Sequence, residues 1–169
     1  MGVLRKYLFF LHCILPAAFF LLATSVSASQ VQDNKHILFI NSYHQRMPWV
    51  KDIVQGVEDV LLPEENSYTL HVENMDSKEF YSESYFAVFK EYLRVKYEKT
   101  VINLILSSDN NAYDFLLQHR DHLFPDAPVF FCGVNNFDNS QIAGVKNITG
   151  AVEVFSADTT ISLAKALMP

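Results

Sequence analysis

Residues 35–48 read KHILFINSYHQRMP, and this stretch decides the fold. Its apolar run at 37–40 is typical of a strand that is buried on both faces of a parallel sheet. A polar loop follows at 41–46, and Pro48 stands where a helix is expected to begin, because proline suits the first turn of a helix. In open α/β sheets, ligands bind just beyond the carboxyl ends of the strands. The loop at 41–46 is therefore the first candidate for a binding surface.

The first 28 residues carry the three-part pattern of a secretory signal peptide. Residues 5–6 are basic, residues 7–23 are largely apolar, and residues 26–28 resemble a small-residue cleavage site. An uncleaved N-terminal membrane anchor is the alternative, since about 17 apolar residues reach the lower limit for a membrane span. We therefore predict a signal peptide or anchor at 1–28, a domain at 29–169, and a periplasmic or otherwise extracytoplasmic location.

The composition of the predicted domain excludes some partners. The chain holds 13 basic and 19 acidic residues, and two of the basic ones lie within the first 28. The remainder has an excess of eight negative charges, which argues against nucleic acid as a partner, because no basic stripe is left to neutralise phosphates. About 140 residues suffice for one domain with its own core. Cys132 is the only cysteine in that part, so no internal disulfide is expected.

Apolar runs that suit strands alternate with segments of helical periodicity along the rest of the chain. Strands are predicted at 37–40, 68–73, 101–106, 129–132 and 148–154. Helices are predicted from Pro48, over 82–96, after a cap at Asp109, and from Ser156 or Asp158. This alternation is typical of strands joined by right-handed crossovers. We predict an α/β fold with an open, mostly parallel five-stranded sheet flanked by helices.

Polar clusters follow three of the predicted strands, at 41–46, 107–111 and 133–136. Because the carboxyl ends of parallel strands meet at one edge of a sheet, we expect these clusters to converge. Their amide, hydroxyl and aromatic groups can orient a small ligand by hydrogen bonding and stacking. The alternative is that they cap helices and form turns, which is what most such residues do.

Signatures of catalysis are weak in this chain. None of its five glycines fits a phosphate-binding or dinucleotide-binding loop, and no Gly-x-Ser-x-Gly nucleophile elbow occurs. We therefore predict a protein that is not an enzyme and that uses no cofactor or metal. An exported hydrolase with His44 as base and Asp109 as its orienting partner is the alternative from another functional class.

Four short motifs carry a resemblance to a known family. They are Ile40-Asn41-Ser42-Tyr43-His44 with Pro48-Trp49, Ser108-Asp109-Asn110-Asn111-Ala112, Phe131-Cys132-Gly133-Val134-Asn135-Asn136, and Ile148-Thr149-Gly150 with Glu153. In this order and spacing the chain resembles the first lobe of ABC-transporter substrate-binding-protein-like domains, which have the periplasmic-binding-protein type 1 architecture. Such domains occur as extracytoplasmic sensors at the front of bacterial membrane histidine kinases and diguanylate cyclases. The resemblance covers about residues 35–169.

The resemblance implies one lobe of a two-lobed clamp that closes on a small molecule. Its candidate ligand-binding residues are Asn41, Ser42, Tyr43, His44, Trp49, Ser108, Asp109, Asn110 and Asn135. An amino acid or related metabolite is compatible with these aromatic and amide groups. The second lobe and a membrane signalling module are the implied partners, and their absence from the sequence predicts that the chain is a fragment of a longer sensor. A solute-binding component that works with an ABC permease is the alternative.

Overall fold

The computed structural model describes residues 34–61, 68–153 and 156–168. The predicted signal peptide or anchor at 1–28 lies outside these ranges. Within them, no helix is both long enough and apolar enough to cross a membrane.

Strands and helices alternate throughout the described ranges, as the sequence predicts. The strands are β1 (Lys35–Asn41), β2 (Tyr68–Asn74), β3 (Ile102–Ser108), β4 (Val129–Val134) and β5 (Ile148–Val152). The α-helices are α1 (Pro48–Leu61), α2 (Glu83–Lys96), α3 (Asp109–Leu123) and α4 (Ala157–Leu167), and a short 3-10 helix spans Asn139–Ile142. The predicted α/β fold class is confirmed.

The five strands form one sheet in the order β2-β1-β3-β4-β5. Every neighbouring pair in it is parallel, so the sheet is wholly parallel where the sequence analysis predicts a mostly parallel one. After β1 the chain adds β2 on one side of it. It then crosses to the other side, where β3, β4 and β5 follow in order. The order therefore reverses between β1 and β3, and such a reversal is where open α/β sheets form a ligand-binding crevice.

Strand β1 is an interior strand of the sheet, because it has a hydrogen-bonded neighbour on each side. All four residues of the 37–40 run are buried, which confirms the prediction of a strand covered on both faces. Leu38 and Ile40 belong to the main core cluster, together with residues of α2 and α3: Phe89, Leu93, Phe115 and Leu116. The apolar residues of β1 thus anchor the sheet in the core, and the sheet in turn positions the polar residues at the strand ends.

Two histidines on the neighbouring strands β1 and β2 contact each other. Nδ1 of His36 lies 3.0 Å from Nε2 of His71, and the ring of His71 packs edge-on against Tyr97. Burial lowers the pKa of His71, the charges of His36 and Lys96 lower it further, and Glu73 acts in the opposite direction. The folded protein therefore takes up a proton at His71 less readily than the unfolded chain does.

We expect the protein to lose stability as the pH falls through the histidine range. A pKa that is lower in the folded protein contributes to stability. This contribution is complete above the unfolded-state pKa of about 6.5, and it is lost as the pH falls towards the folded-state pKa. His71→Asn should flatten the dependence of melting temperature on pH between about 7 and 5. The same change at exposed His122 should alter that dependence less than His71→Asn does. Equal pH profiles for wild type and His71→Asn would contradict the prediction.

Candidate functional site

The candidate site lies at the carboxyl ends of β1, β3 and β4. The ends of β1 and β3 are adjacent, since Asn41 pairs with Ser108 in the sheet register. The end of β4 follows, with Ser108 opposite Cys132. The three polar clusters of the sequence therefore converge on one sheet edge, at the reversal of strand order.

Three of the candidate residues form a buried layer beneath this edge. Asn41, Ser42 and Ser108 are fully buried. The Ser42 hydroxyl donates to the carbonyl oxygen of Ser108 at 2.8 Å, and the Ser108 hydroxyl donates to Oδ1 of Asn41 at 2.8 Å. Among the described residues, Nδ2 of Asn41 has no hydrogen-bond partner. These side chains fasten β1 to β3 and position the backbone of the site.

Helix α3 begins differently from the sequence prediction. The prediction that Asp109 caps it is wrong, because Asp109 is already its first residue and its carboxylate binds groups outside the helix. Ser108 is the N-cap residue but makes no capping bond with its side chain. Instead, the hydroxyl of Ser42 accepts a hydrogen bond from the backbone N–H of Ala112 at 2.8 Å. A serine from the loop after β1 thus satisfies a free donor in the first turn of α3.

Asp109 joins the loop after β1 to the start of α1. Its Oδ1 accepts from the Tyr43 hydroxyl at 3.0 Å, and its Oδ2 accepts from Nε1 of Trp49 at 2.8 Å. Its backbone has a φ of 68°, in the left-handed region that aspartate tolerates better than most residues. Gly133, with a φ of 67°, passes so close that a Cβ atom there would lie 3.3 Å from the Trp49 ring. One carboxylate therefore holds both aromatic side chains in place.

The electrostatics of this cluster keep Tyr43 protonated. Burial raises the pKa of Asp109, and the hydrogen bonds from Tyr43 and Trp49 and the charge of Lys78 lower it in part. Burial, the hydrogen bond to Asp109 and the charge of Asp109 together raise the pKa of Tyr43 to about 12. The Lys78 ammonium lies 4.3 Å from the centre of the Tyr43 ring, within the range of a cation–π contact. At neutral pH Tyr43 thus remains a hydrogen-bond donor.

Asn110 and Asn135 form a reciprocal pair between α3 and the end of β4. Oδ1 of Asn110 accepts from the backbone N–H of Asn135 at 3.0 Å, and Nδ2 of Asn110 donates to the backbone carbonyl oxygen of Asn135 at 3.1 Å. The side chain of Asn135 is exposed, and its amide nitrogen lies 3.4 Å from Oδ1 of Asn110. The pair fixes the loop after β4 to the start of α3 and leaves an amide group facing solvent.

His44 lies in the same loop but has a different local partner. Its Nδ1 accepts a hydrogen bond from the backbone N–H of Arg46 at 3.0 Å. The carboxylate of Asp109 accepts its hydrogen bonds from Tyr43 and Trp49 instead. Within the described ranges, His44 and Asp109 are not hydrogen-bonded to each other. The base and its orienting group, as the hydrolase hypothesis pairs them, are engaged elsewhere in this structure.

The sequence analysis missed a fourth strand end. Ser77, in the loop after β2, is buried, and its hydroxyl donates to the carbonyl oxygen of Ser42 at 2.6 Å. Nδ2 of Asn111 in turn donates to the hydroxyl of Ser77 at 2.7 Å. The available signal was the polar run 76–78 directly behind β2, which is the same pattern that marked the other three ends.

Two cavities of similar size lie at opposite edges of the sheet. One, of about 430 Å³, adjoins the candidate site between α1 and β2 and is lined by Gln45, Val50 and Asn74 among others. The other, of about 420 Å³, lies between Arg120 and the segment 144–148, where β5 begins, and so at the opposite edge of the sheet. No group of three or more metal-binding side chains occurs among the described residues.

Comparison with protein-family models, with curated proteins and with solved structures found no match.

Proposed function

We propose that this chain is the first lobe of an extracytoplasmic small-ligand-sensing domain, and part of a bacterial membrane signal-transduction protein. The observation that carries the proposal is the Asp109 cluster at the point where the strand order reverses. There, one buried carboxylate accepts hydrogen bonds from the Tyr43 hydroxyl at 3.0 Å and from the Trp49 indole N–H at 2.8 Å. Binding sites in open α/β sheets occupy this position.

The residues of the site divide into a support and a surface. Asn41, Ser42 and Ser108 are the support, since they are buried and hydrogen-bonded to the backbone and to each other. The surface consists of side chains that solvent reaches: Tyr43, His44, Trp49, Asn110 and Asn135. Trp49 is 41% exposed although its indole N–H is bound, so its ring offers a fixed face for stacking.

The chemistry of this surface suits a small polar molecule such as an amino acid or related metabolite. The aromatic faces bind its apolar part, and the Asn135 amide and the His44 imidazole hydrogen-bond its polar groups. Lys78 adds a positive charge beside Tyr43, which favours an anionic group such as a carboxylate. A second lobe would supply the remaining contacts, and closure of the two lobes around the ligand would pass the signal to the membrane module.

Trp49 is the only tryptophan of the chain, so its fluorescence reports on the site without labelling. We expect amino acids and related carboxylates, titrated one at a time into the full chain, to include a compound that changes this fluorescence saturably. The same compound should raise the melting temperature, because a ligand that binds only the folded state stabilises it. Tyr43→Phe should weaken the binding about tenfold, as is typical when a hydrogen bond that positions a site is lost.

Tyr68→Phe is the matched control, since Tyr68 is 43% exposed and begins β2, at the end of the sheet opposite this cluster. It should bind the ligand as the wild type does. The proposal fails if no compound of the panel changes either signal, or if Tyr43→Phe and Tyr68→Phe bind equally well.

The signalling part of the proposal is tested by the gene. We expect the reading frame beyond codon 169, checked by resequencing, to encode a second lobe, a membrane span and a kinase or cyclase module. A second lobe that ends beside permease genes would contradict the signalling role and favour a solute-binding protein of an ABC transporter.

A further inference from the structure

A cavity of about 320 Å³ lies between the start of α2 and the facing side of α3. Its α3 wall is formed by the side chains at 111, 114, 115, 118 and 119, which share one face of the helix because they recur at helical spacing. Its α2 wall is formed by Tyr81, Glu83 and Phe86. Small-molecule sites in proteins begin at about 300 Å³. We call this space the α2–α3 cavity.

Aromatic rings stand on both walls of the α2–α3 cavity. Tyr81 and Phe86 contact each other edge to face with ring centres 5.1 Å apart, and Phe115 and His119 do the same at 4.9 Å. One ring of each pair is anchored: Phe115 is buried, and Phe86 packs against the main core cluster. Each outer ring thus leans on a fixed inner ring, so a molecule that enters between the walls meets a largely preformed surface.

The charged side chains that line the α2–α3 cavity are acidic. Glu83 and Asp114 supply two carboxylates, and no lysine or arginine is among the described residues that line it. Neither carboxylate takes part in a salt bridge within the described ranges. Glu83 lies in the first turn of α2, where its charge also offsets the positive end of the helix dipole. Asp114 is therefore the main counter-charge that the cavity offers to a ligand.

The titratable groups of the α3 wall favour a positive ligand. Partial burial raises the pKa of the Asp114 carboxyl group, so a cation beside it would offset part of the cost of its charge. Burial lowers the pKa of His119, and the charge of Lys90 lowers it further, so the imidazole is neutral at neutral pH and does not repel a cation. Because Lys90 acts on His119 from outside the lining, we expect the positive group of a ligand closer to Asp114 than to His119.

We propose that the α2–α3 cavity binds a small organic cation that carries an alkylated ammonium group. Aromatic rings attract cations, and aromatic cages are how proteins recognise quaternary ammonium groups. Tyr81 and Phe86 supply the aromatic surface for the alkyl groups, and Asp114 supplies the counter-charge. A hard metal ion is a poorer match, because it needs six or so oxygen ligands and the described residues hold no cluster of three or more metal-binding side chains.

This cavity is separate from the Asp109 cluster. Asn111 lines it and its Nδ2 donates to Ser77 at 2.7 Å, so the two regions are neighbours, but Tyr43, Trp49 and Asp109 do not line it. Binding of an organic cation therefore neither requires nor excludes a ligand at the carboxyl ends of the strands. The two proposals can fail independently of each other.

Choline is the probe, titrated into the full chain and followed by heteronuclear NMR at constant ionic strength. We expect saturable shifts of backbone amides within 81–86 and 111–119, with a dissociation constant on the order of millimolar. The uncharged carbon isostere of choline, 3,3-dimethylbutanol, should bind at least about fivefold more weakly, because it has the same shape and lacks the charge. The proposal is overturned if no amide shifts saturably, if the shifts lie outside these two segments, or if the isostere binds as well as choline.

Two substitutions assign the binding to the named side chains. Tyr81→Leu and Asp114→Asn should each weaken choline binding about fivefold, with circular dichroism unchanged because both residues are exposed. Tyr68→Leu and Asp126→Asn are the matched controls, since they make the same changes at exposed residues that do not line the cavity. Both should bind choline as the wild type does. Tyr81→Leu and Asp114→Asn proteins that bind as tightly as these controls would overturn the proposal.

Discussion

Replacing Asp109 with alanine is expected to lower the free energy of unfolding by about 2–4 kcal/mol. The change leaves the Tyr43 hydroxyl and the Trp49 indole N–H without the carboxylate that both now contact. It also puts alanine at a φ of 68°, where a residue with a Cβ and no local hydrogen-bonding side chain is strained by about 1–2 kcal/mol. The raised pKa of Asp109 indicates that its two hydrogen bonds only partly offset the cost of burying it, so the loss stays below the sum of these effects.

Two further substitutions at Asp109 separate its hydrogen bonds from its backbone. Asp109→Gly removes the carboxylate but suits the left-handed conformation, so it should be about 1 kcal/mol more stable than Asp109→Ala. Asp109→Asn keeps one acceptor oxygen and tolerates the same φ, so it should be the mildest of the three. Urea unfolding, followed by Trp49 fluorescence and independently by circular dichroism, measures this order. Equal stability of the alanine, glycine and asparagine variants would show that Asp109 neither binds the two rings firmly nor carries backbone strain.

These variants also connect the fold to the proposed binding surface. Loss of the carboxylate should free the Trp49 ring to move, which a red shift and a lower anisotropy of its fluorescence would record in the folded protein. If ligand affinity falls in Asp109→Asn by more than stability does, the carboxylate acts by holding Tyr43 and Trp49 in a binding geometry. A parallel loss of both would assign it a structural role alone.

The sequence predicts the sheet well because apolar runs decide which segments can be buried on both faces. The run at 37–40 is buried along its whole length, as its composition indicates. The errors lie at the strand ends. The sequence places the end of the third strand at residue 106, whereas β3 continues through Ser107 and Ser108. The backbone of both serines joins the ladder to β1, and the Ser108 hydroxyl donates to Asn41, whereas the buried Ser107 hydroxyl has no hydrogen-bond partner among the described residues.

The location of the site could be predicted from the sequence, but the roles of its residues could not. Polar residues behind parallel strands meet at one edge by topology alone, and that convergence is what the structure has. Whether Ser42 faces a ligand or the Ser108 carbonyl depends on a residue 66 positions away. The same holds for Asp109, whose left-handed backbone turns its carboxylate towards Tyr43 and Trp49 and away from its own helix. No local rule for caps predicts that choice.

Gly150→Ala is expected to destabilise the protein by about 1–3 kcal/mol, because it overfills a closed space. A Cβ atom at Gly150 would lie well inside contact distance of the Phe131 carbonyl oxygen and of the Phe131 ring. Phe131 is buried and packs against Tyr113 and Phe137, so its ring cannot move aside without disturbing that cluster. The backbone must give instead, and the readiest movement is a partial separation of β5 from β4, where Gly150 now pairs with Phe131.

Gly56→Ala is the matched control, since it makes the same chemical change in open space. Gly56 lies within α1, and nothing lies within 4 Å of a Cβ atom built there. Alanine in a helix interior is more stable than glycine by about 0.5–1 kcal/mol, so this variant should unfold at higher urea concentration than the wild type. The two glycine-to-alanine changes should therefore have opposite signs in one unfolding experiment. Hydrogen exchange should further show faster exchange of β5 amides in Gly150→Ala alone, and a Gly150→Ala protein as stable as Gly56→Ala would mean that β5 does not pack against β4 as closely as described.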